Sequence, residues 1–219
     1  MLTVATAHAL IQDADYAAAY REFGRRYPAA GCGGTFVSWL MSDDAPPYHS
    51  WGNGSAMRVS PVGFAGNSLE AVLAEAAKSA AVTHNHPEGI KGAQAVASAV
   101  FMGRCGRTKE EIRALISDRS GYDLTPTIDQ IRPGYYFDVS CQGSVPQALI
   151  AFLQSHDVES AIRLAISLGG DSDTQACIAG ATAHAYYGAI APEMERQVRK
   201  RLPREFLVVL DAFMDRYIR

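Results

Sequence analysis

Apolar residues recur at intervals of three and four along most of the chain, and alternating runs rich in β-branched residues are almost missing. This spacing is typical of helices that bury one face, so it predicts an all-α fold. Long irregular stretches are expected only at about 42–66 and 119–143. Helices are expected over residues 2–12, 14–27, 33–41, 69–84, 91–105, 109–118, 145–155, 158–168, 174–187, 192–202 and 204–217.

Capping residues predict where several of these helices begin. Thr108 with Glu111 matches the capping-box pattern, in which two side chains satisfy free backbone N–H groups of the first turn. Asp157 is placed to cap the helix that follows it, and Ser144 to cap a helix with Pro146 in its first turn. We therefore expect these residues to mark helix N-termini.

Composition and charge exclude several classes of function. The 219 residues are 48% apolar and 20% charged, as in a globular protein, and the length fits one large domain or two small ones. No apolar run reaches the roughly 18 residues that cross a bilayer, and no secretory signal is evident. A net charge of −3 without a basic cluster argues against nucleic acid, and the four cysteines form no CxxC pair. We expect a cytoplasmic protein with reduced thiols and without a membrane or nucleic-acid partner.

The strongest local signal for chemistry is the turn at residues 169–174. Its two glycines allow backbone conformations with positive φ, which lets Asp171, Asp173 and Thr174 converge on one point. Clustered carboxylate and hydroxyl oxygens suit Mg²⁺, Mn²⁺ or Ca²⁺ better than zinc. Thr182 stands where the twelfth residue of an EF-hand loop would be Glu, which disfavours calcium sensing. The alternative is that one acid merely caps the next helix.

A second candidate is the glycine-containing segment at residues 51–58. Gly52 and Gly54 allow a ligand to approach the backbone closely, so successive N–H groups can cradle an anion, and Arg58 can add charge. Neither a Walker A loop nor a dinucleotide-binding fingerprint is present. The alternative is an ordinary turn without a ligand.

A third candidate is the polar segment at residues 83–89, which is expected to end one helix before the next begins at Gly92. His84, Asn85 and His86 beside a turn can form a hydrogen-bonding wall for a polar ligand. Histidines two positions apart point to different sides of a helix, so a shared zinc ion is not expected. The alternative is a histidine that only interacts favourably with a helix C-terminus.

The three candidate segments and two further ones follow one another along the chain. They are Gly52-Asn53-Gly54-Ser55-Ala56-Met57-Arg58-Val59, Thr83-His84-Asn85-His86-Pro87, Gly92-Ala93, Cys141-Gln142-Gly143-Ser144-Val145-Pro146 and Gly169-Gly170-Asp171-Ser172-Asp173-Thr174. In this order they resemble the ADP-ribosylglycohydrolase family, which includes the dinitrogenase reductase-activating glycohydrolases. The resemblance implies a single all-α domain over residues 1–219, a compact orthogonal bundle of many helices. It also implies a hydrolase that binds two Mg²⁺ or Mn²⁺ ions and removes ADP-ribose from a modified side chain or a related ADP-ribosyl compound.

The same resemblance implies roles for individual residues. Asp171, Asp173 and Thr174 would be metal ligands, and the two aspartates would be catalytic through the bound ions. ADP-ribose, or the ADP-ribose of a modified protein, would lie against the loop and the histidine wall. The implied ligand-binding residues are Gly52, Asn53, Gly54, Ser55, Ala56, Met57, His84 and His86.

The start of the chain departs from the family pattern. Members usually carry a Thr-Asp-Asp-Thr segment just before the helix that matches residues 2–10, and it supplies the other half of the metal site. Met1 stands about where that segment would end, so the first helix lacks a capping residue and we expect that an N-terminal part is missing. Asp43 and Asp44 are interpreted as a solvated pair in a turn rather than as substitute ligands.

Two alternatives follow from this departure. One is an ADP-ribose-binding module or catalytically impaired remnant that binds without turnover, because one acidic turn cannot enclose two divalent ions. The other is a homo-oligomer in which a second copy covers apolar surface left exposed on the first helix.

Overall fold

Helices account for nearly all regular structure in residues 1–218, the part of the chain that the computed structural model describes. Within these residues there is no named strand, and one isolated antiparallel bridge pairs Gly52 with Ser140. The predicted all-α class is therefore confirmed. The helices are α1 (Leu2–Gln12), α2 (Tyr16–Arg26), α3 (Gly34–Leu40), α4 (Gly54–Arg58), α5 (Ser60–Ala65), α6 (Leu69–Ala81), α7 (Pro87–Arg104), α8 (Lys109–Ser120), α9 (Ile128–Ile131), α10 (Cys141–Gln154), α11 (Val158–Ser167), α12 (Ser172–Tyr187), α13 (Pro192–Arg201) and α14 (Arg204–Tyr217), with a 3₁₀ turn at Arg132–Gly134.

Several helix ends follow the expected capping chemistry. Thr108 and Glu111 form the predicted capping box at the start of α8. Asp157 caps α11 by accepting a hydrogen bond from the backbone N–H of Ser160, at 2.7 Å. By contrast, Asp171 stands at the start of α12 without a side-chain capping bond, so the capping alternative for this aspartate is wrong.

The start of α10 corrects the sequence prediction. Ser140 is the N-cap, and its hydroxyl accepts a hydrogen bond from the N–H of Gly143 at 3.0 Å. Ser144 lies inside the helix and donates to the carbonyl of Ser140, so it is not the cap, and Pro146 lies beyond the first turn. The early start is possible because Cys141 N–H donates to the Trp51 carbonyl, which fixes the chain before the proline.

Other parts of the chain also differ from the expected pattern: the stretch expected to be irregular at 119–143 contains α9 and the 3₁₀ turn, and α6 ends at Ala81 rather than at 84. The stretch expected to be irregular at 42–66 contains the short helices α4 and α5. The helix expected from about residue 91 begins at Pro87, so Gly92 lies inside α7 rather than at its start. Pro87 fits the first position of a helix because its missing N–H has no partner there in any case.

Helix α7 lies at the centre of the molecule and packs against α4, α5, α6, α8, α10 and α12. Small residues allow this close packing: a Cβ on Gly63 of α5 would lie 2.5 Å from the Ala97 carbonyl of α7. A second hydrophobic cluster joins α1, α2, α3 and α14 through buried aromatic residues, including Tyr20, Phe23 and Trp39. Among residues 1–218, no helix combines the length and apolar character needed to span a bilayer.

Helix α1 is covered by its own chain. Leu2, Val4 and Ala9 are buried, and the helix packs against α2, α5 and α14. The expectation that α1 leaves apolar surface exposed is therefore wrong. A second copy of the chain is not needed to cover this helix. Oligomerisation itself stays a prediction. The four cysteines are unpaired.

Candidate active site

The side chain of Asn53 joins the two strongest candidate segments. Its Nδ2 donates to Asp171 Oδ2 at 2.7 Å and to Ser144 Oγ at 3.1 Å, and the residue is almost fully buried. Its backbone N–H donates to the Val139 carbonyl at 2.8 Å. The glycine loop, the start of α10 and the acidic turn before α12 therefore meet at one place.

The acidic turn has the geometry that its glycines predict. Gly169 and Gly170 have φ values of 77° and 68°, and a Cβ on Gly170 would lie 2.8 Å from the ring of Tyr135. Tyr135 in turn donates to the Gly143 carbonyl at 2.9 Å and accepts from Gln175, so it ties the turn to α10 and α12. The turn is thus held against the rest of the site.

Asp171, Asp173 and Thr174 lie together at this turn. Burial raises the pKa of Asp171, and the neighbouring Asp173 carboxylate raises it further, against the opposing hydrogen bond from Asn53. A cation bound at this turn would favour the ionised form of Asp171. The Thr174 hydroxyl is 3.5 Å from the Met57 sulfur, which places the turn beside the glycine loop.

These three residues fit one hard cation better than two. They supply two carboxylates and one hydroxyl, the oxygen ligands that Mg²⁺ and Mn²⁺ prefer. Across the described residues 1–218, the acidic turn included, no group of three or more His, Cys, Asp or Glu side chains comes together. Asp43 lies elsewhere, exposed and paired with Arg25 at 2.6 Å, in agreement with its interpretation as a surface turn.

The glycine loop is only partly free to contact a ligand. The N–H of Gly52 donates to Ser50 Oγ at 3.1 Å, and that of Asn53 is also bonded within the protein, so neither is free to hold an anion. Ser55 and Ala56 are both 0% exposed, and the Ser55 hydroxyl donates to the Gly89 carbonyl. The prediction that Ser55 and Ala56 contact the ligand is therefore wrong. Both residues lie beneath the loop and shape it.

His84 forms the inner wall of the loop. A Cβ on Gly54 would lie 3.3 Å from His84 Nε2, and one on Gly52 would lie 3.6 Å from the same atom. His84 Nδ1 is 2.7 Å from the hydroxyl of Thr83, which accepts a hydrogen bond from Arg58 Nη2 at 2.9 Å. Since Thr83 accepts from Arg58, we assign its own proton to His84 Nδ1, which leaves the ring proton on Nε2.

Burial makes His84 a neutral imidazole. Burial, followed by the charge of Arg58, lowers the pKa of His84 from 6.5 to about 3. Arg58 itself is 0% exposed and donates to the Ser79 carbonyl as well as to Thr83. The expectation that Arg58 adds charge to an anion site is therefore wrong; this cation lies behind the histidine.

His86 contacts a different set of residues from His84, and both lie between α6 and α7, outside any helix. Its Nδ1 caps α7 by accepting from the Glu88 N–H at 3.0 Å, and its ring lies 4.7 Å from that of His49 and 5.5 Å from that of Trp51. Sequence reasoning assigned no role to Trp51, which is 52% exposed. The sequence signal that could have pointed to this residue is a tryptophan directly before a glycine turn.

Exposed apolar side chains continue around the opening of the site. The carbonyl of Val139 accepts a hydrogen bond from the N–H of Asn53, which places Val139 next to the loop. The side chains of Tyr136, Phe137 and Val139 are all exposed. Sequence reasoning also missed the contribution of α10, whose Ser144 bonds Asn53. The site is therefore a polar floor of carboxylates and amides with an aromatic rim.

An all-α fold with an acidic turn and a glycine loop joined at one site agrees with the family suggested by the sequence. A family model described as ADP-ribosylglycohydrolase matches residues 1–217. The chain is 33% identical over 160 residues to the ADP-ribosylarginine hydrolase Tri1 of Pseudomonas putida (strain GB-1), an alignment that covers 67% of this chain and 42% of that protein. It is 29% identical over 184 residues to the ADP-ribosylhydrolase ARH3 of Homo sapiens, covering 64% of this chain and 51% of that protein.

The fold comparison gives the same result. A solved ADP-ribosylglycohydrolase-related protein complex matches with a TM-score of 0.75 at 25% identity, covering 98% of this chain and 79% of that chain. The chain belongs to the ADP-ribosylglycohydrolase family, which confirms the resemblance. It spans about half the length of the curated relatives named above.

Proposed function

We propose that the protein is a divalent-metal-dependent hydrolase that removes ADP-ribose from a modified side chain. The observation that carries this proposal is the Asn53 side chain, which bonds Asp171 and Ser144 and so joins the glycine loop to the acidic turn. A ligand with a diphosphate, two riboses and a base needs such different surfaces side by side. The family and the named relatives support the reaction class.

Each part of the site is proposed to meet a different part of ADP-ribose. Gly52, Gly54 and Met57 are the partly accessible members of the loop and would lie along the diphosphate and the distal ribose. The neutral His84 would donate a hydrogen bond from Nε2 to a ligand oxygen there, without a charge of its own. The exposed ring of Trp51 would stack on the adenine base.

Asp171, Asp173 and Thr174 are proposed to hold Mg²⁺ or Mn²⁺. A cation bound there would polarise ribose hydroxyls and lower the pKa of a bound water, which supplies the nucleophile for attack at the anomeric carbon. The Asn53 hydrogen bond orients the Asp171 carboxylate and favours its ionised form. The second ion that the family implies stays a prediction.

The test is calorimetric titration of this chain with ADP-ribose, with and without Mg²⁺, while product release from an ADP-ribosylated arginine substrate is followed. We expect metal-dependent binding and turnover, both of which are lost in Asp173→Ala. Asp44→Ala is the matched control, because Asp44 is an exposed aspartate outside the site. Unchanged Mg²⁺-dependent binding and turnover in Asp173→Ala would remove the acidic turn from the mechanism.

One observation favours a second candidate, an ADP-ribose-binding module without turnover. The acidic turn supplies only two aspartates and one hydroxyl, and no group of three or more His, Cys, Asp or Glu side chains that could hold a metal ion occurs in residues 1–218. The same experiment separates the two functions: tight binding of ADP-ribose with no product over a long incubation supports the module. Binding that does not respond to metal would point the same way.

A further inference from the structure

A chain of hydrogen bonds runs from a buried cation to the glycine loop. Arg58 Nη2 donates to Thr83 Oγ1 at 2.9 Å, and Thr83 Oγ1 lies 2.7 Å from His84 Nδ1. On the other side of the ring, Nε2 faces the loop, 3.6 Å and 3.3 Å from where a Cβ on Gly52 and on Gly54 would lie. The two nitrogens of His84 therefore have different surroundings, the core on one side and the loop on the other.

The residues of this chain are held in place by separate parts of the fold. Arg58 is the last residue of α4 and also donates to the Ser79 carbonyl of α6 at 3.1 Å. Thr83 and His84 follow the end of α6, and both of their backbone N–H groups donate to the Ala80 carbonyl, at 3.1 Å and 2.7 Å. Because Arg58 and Thr83 are 0% exposed, water does not compete for the bond between them.

Arg58 is a buried cation whose bonded partners are neutral. It donates to a carbonyl and to a hydroxyl, and its guanidinium carbon lies 4.1 Å from the centroid of the Tyr20 ring. Its Nε and Nη1 are buried without a partner in the described part of the chain. Burial of a charge without a counter-charge is costly, and an apolar side chain of similar size would fill the same space. What only the guanidinium supplies here is a donor to Thr83.

The guanidinium determines the direction of every bond in the chain. An arginine side chain only donates, so Thr83 Oγ1 accepts from it and directs its own single proton elsewhere. Tyr48 also interacts with Thr83, but it has a hydroxyl proton of its own to donate. The remaining neighbour is His84 Nδ1, which accepts the Thr83 proton and carries none itself. A neutral imidazole has one N–H group, which is therefore at Nε2.

We propose that Arg58 and Thr83 are positioning residues, which fix the proton of His84 on Nε2 and make the ring a permanent hydrogen-bond donor towards the glycine loop. No hydrogen bond to Nε2 is found within residues 1–218, and Nε2 is not one of the buried polar atoms that lack a partner, so it retains contact with the solvent. The consequence for recognition rests on the proposed function: the ligand atom at this nitrogen has to be an acceptor.

The first test is the ¹⁵N NMR spectrum of the histidine side chains in the full chain near neutral pH. The His84 signals are those missing from His84→Gln, and the spectrum distinguishes a ring nitrogen that carries a proton from one that does not. We expect one tautomer, with the proton on Nε2 and an unprotonated Nδ1. A proton on Nδ1, or an even mixture of tautomers, would overturn the proposal.

Thr83→Val tests the bond between hydroxyl and ring. The substitution keeps the branched shape of the side chain and removes the donor to Nδ1, so the Nδ1 resonance should move to the position of an unbonded nitrogen. Thr83→Ser keeps a hydroxyl and should restore the original position. Thr182→Val is the matched control, since Thr182 is a buried threonine that donates within α12 to the Ile178 carbonyl at 2.9 Å. An unchanged Nδ1 resonance in Thr83→Val would refute the bond.

Arg58→Met tests the cation itself. Without the guanidinium, the Thr83 hydroxyl is free to accept from Nδ1, so we expect a measurable population of His84 with the proton on Nδ1. A ring that keeps its proton on Nε2 alone would show that Arg58 does not set the tautomer. If Arg58→Met fails to fold, the spectra of Thr83→Val and Thr83→Ser decide.

Binding of ADP-ribose, measured by calorimetry with Mg²⁺, tests the consequence for the ligand. Affinity should fall roughly five- to tenfold in Thr83→Val, because the donor is no longer fixed, and should return to within about twofold in Thr83→Ser. Equal affinity in Thr83→Val and in the unmodified protein would overturn the role in recognition. If the unmodified protein does not bind ADP-ribose, the proposed function fails, whereas the spectra of the free protein still decide whether Arg58 and Thr83 fix the tautomer.

Discussion

Acidification should destabilise this fold through His84. The imidazole is held neutral because burial, with the Arg58 charge second, lowers its pKa from 6.5 to about 3. In the unfolded chain the same side chain has its ordinary pKa, so unfolding takes up one proton between these two values. The stabilising contribution is therefore fully present above pH 6.5 and is lost as the pH falls towards the folded-state pKa.

The size of the effect follows from the width of this interval. Each unit of pKa difference corresponds to about 1.4 kcal/mol, so acidification from about pH 7.5 to about pH 4.5 should cost roughly 3 kcal/mol through this group. On the side of Nδ1, a protonated His84 would meet only the neutral hydroxyl of Thr83, which also accepts from Arg58. A charged His84 would also lie next to the buried Arg58 cation.

The assay is urea unfolding followed by far-UV circular dichroism at several pH values, in the unmodified protein and in His84→Gln. His84→Gln can lower the free energy of unfolding already at neutral pH. The test is therefore how the difference in this free energy between the two proteins changes as the pH falls. His156→Gln is the control, since that side chain is 84% exposed. Parallel stability curves for the unmodified protein and His84→Gln below pH 6.5 would refute the buried, neutral histidine.

Three further substitutions test packing and the centre of the site. Asn53→Ala should lower the free energy of unfolding by about 1–3 kcal/mol, since the partly buried Asp171 carboxylate and the buried Ser144 hydroxyl lose their donor, as urea titration measures. Gly63→Ala should cost about 1–3 kcal/mol, because its Cβ would lie 2.5 Å from the Ala97 carbonyl, and thermal unfolding measures it. Phe152→Ala should cost about 3–5 kcal/mol in urea, because a fully buried ring leaves a cavity.

Matched controls keep these tests specific. Asn67→Ala removes an exposed amide and should change stability little, and Gly33→Ala adds a Cβ where nothing lies within 4 Å. Equal effects of Asn53→Ala and Asn67→Ala would contradict the proposed link between loop and turn. A neutral Gly63→Ala variant would mean that α5 and α7 can separate without cost.

The helical pattern predicted most of the fold because the period of apolar residues is a local property. It could not place the start of α10, since that end depends on a hydrogen bond from Cys141 N–H to the distant Trp51 carbonyl. Nor could it find α4 and α5, which are too short to show a period. Local signals therefore define long helices, and long-range contacts define the short ones and their ends.

The candidate site shows the same division. Residue types alone singled out Asp171 and His84 as candidates, because carboxylates near glycines and histidines near turns are chemically distinctive. The direction of each side chain was not predictable: Arg58 faces the core behind His84, and Ser55 lies beneath the loop. Direction depends on how neighbouring helices pack, which no single segment encodes.

Two glycines of the central helix also shape the candidate site. On α7, a Cβ at Gly92 would lie 2.5 Å from Cys141 Sγ, and one at Gly89 would lie 2.6 Å from the Ser50 carbonyl. These two glycines therefore let the start of α10 and the segment before the glycine loop approach the same helix. Because the loop and α10 are held this close, Asn53 can reach Asp171 and Ser144 at once. The packing of α7 is thus a condition for the candidate site, since larger side chains there would separate the elements that form it.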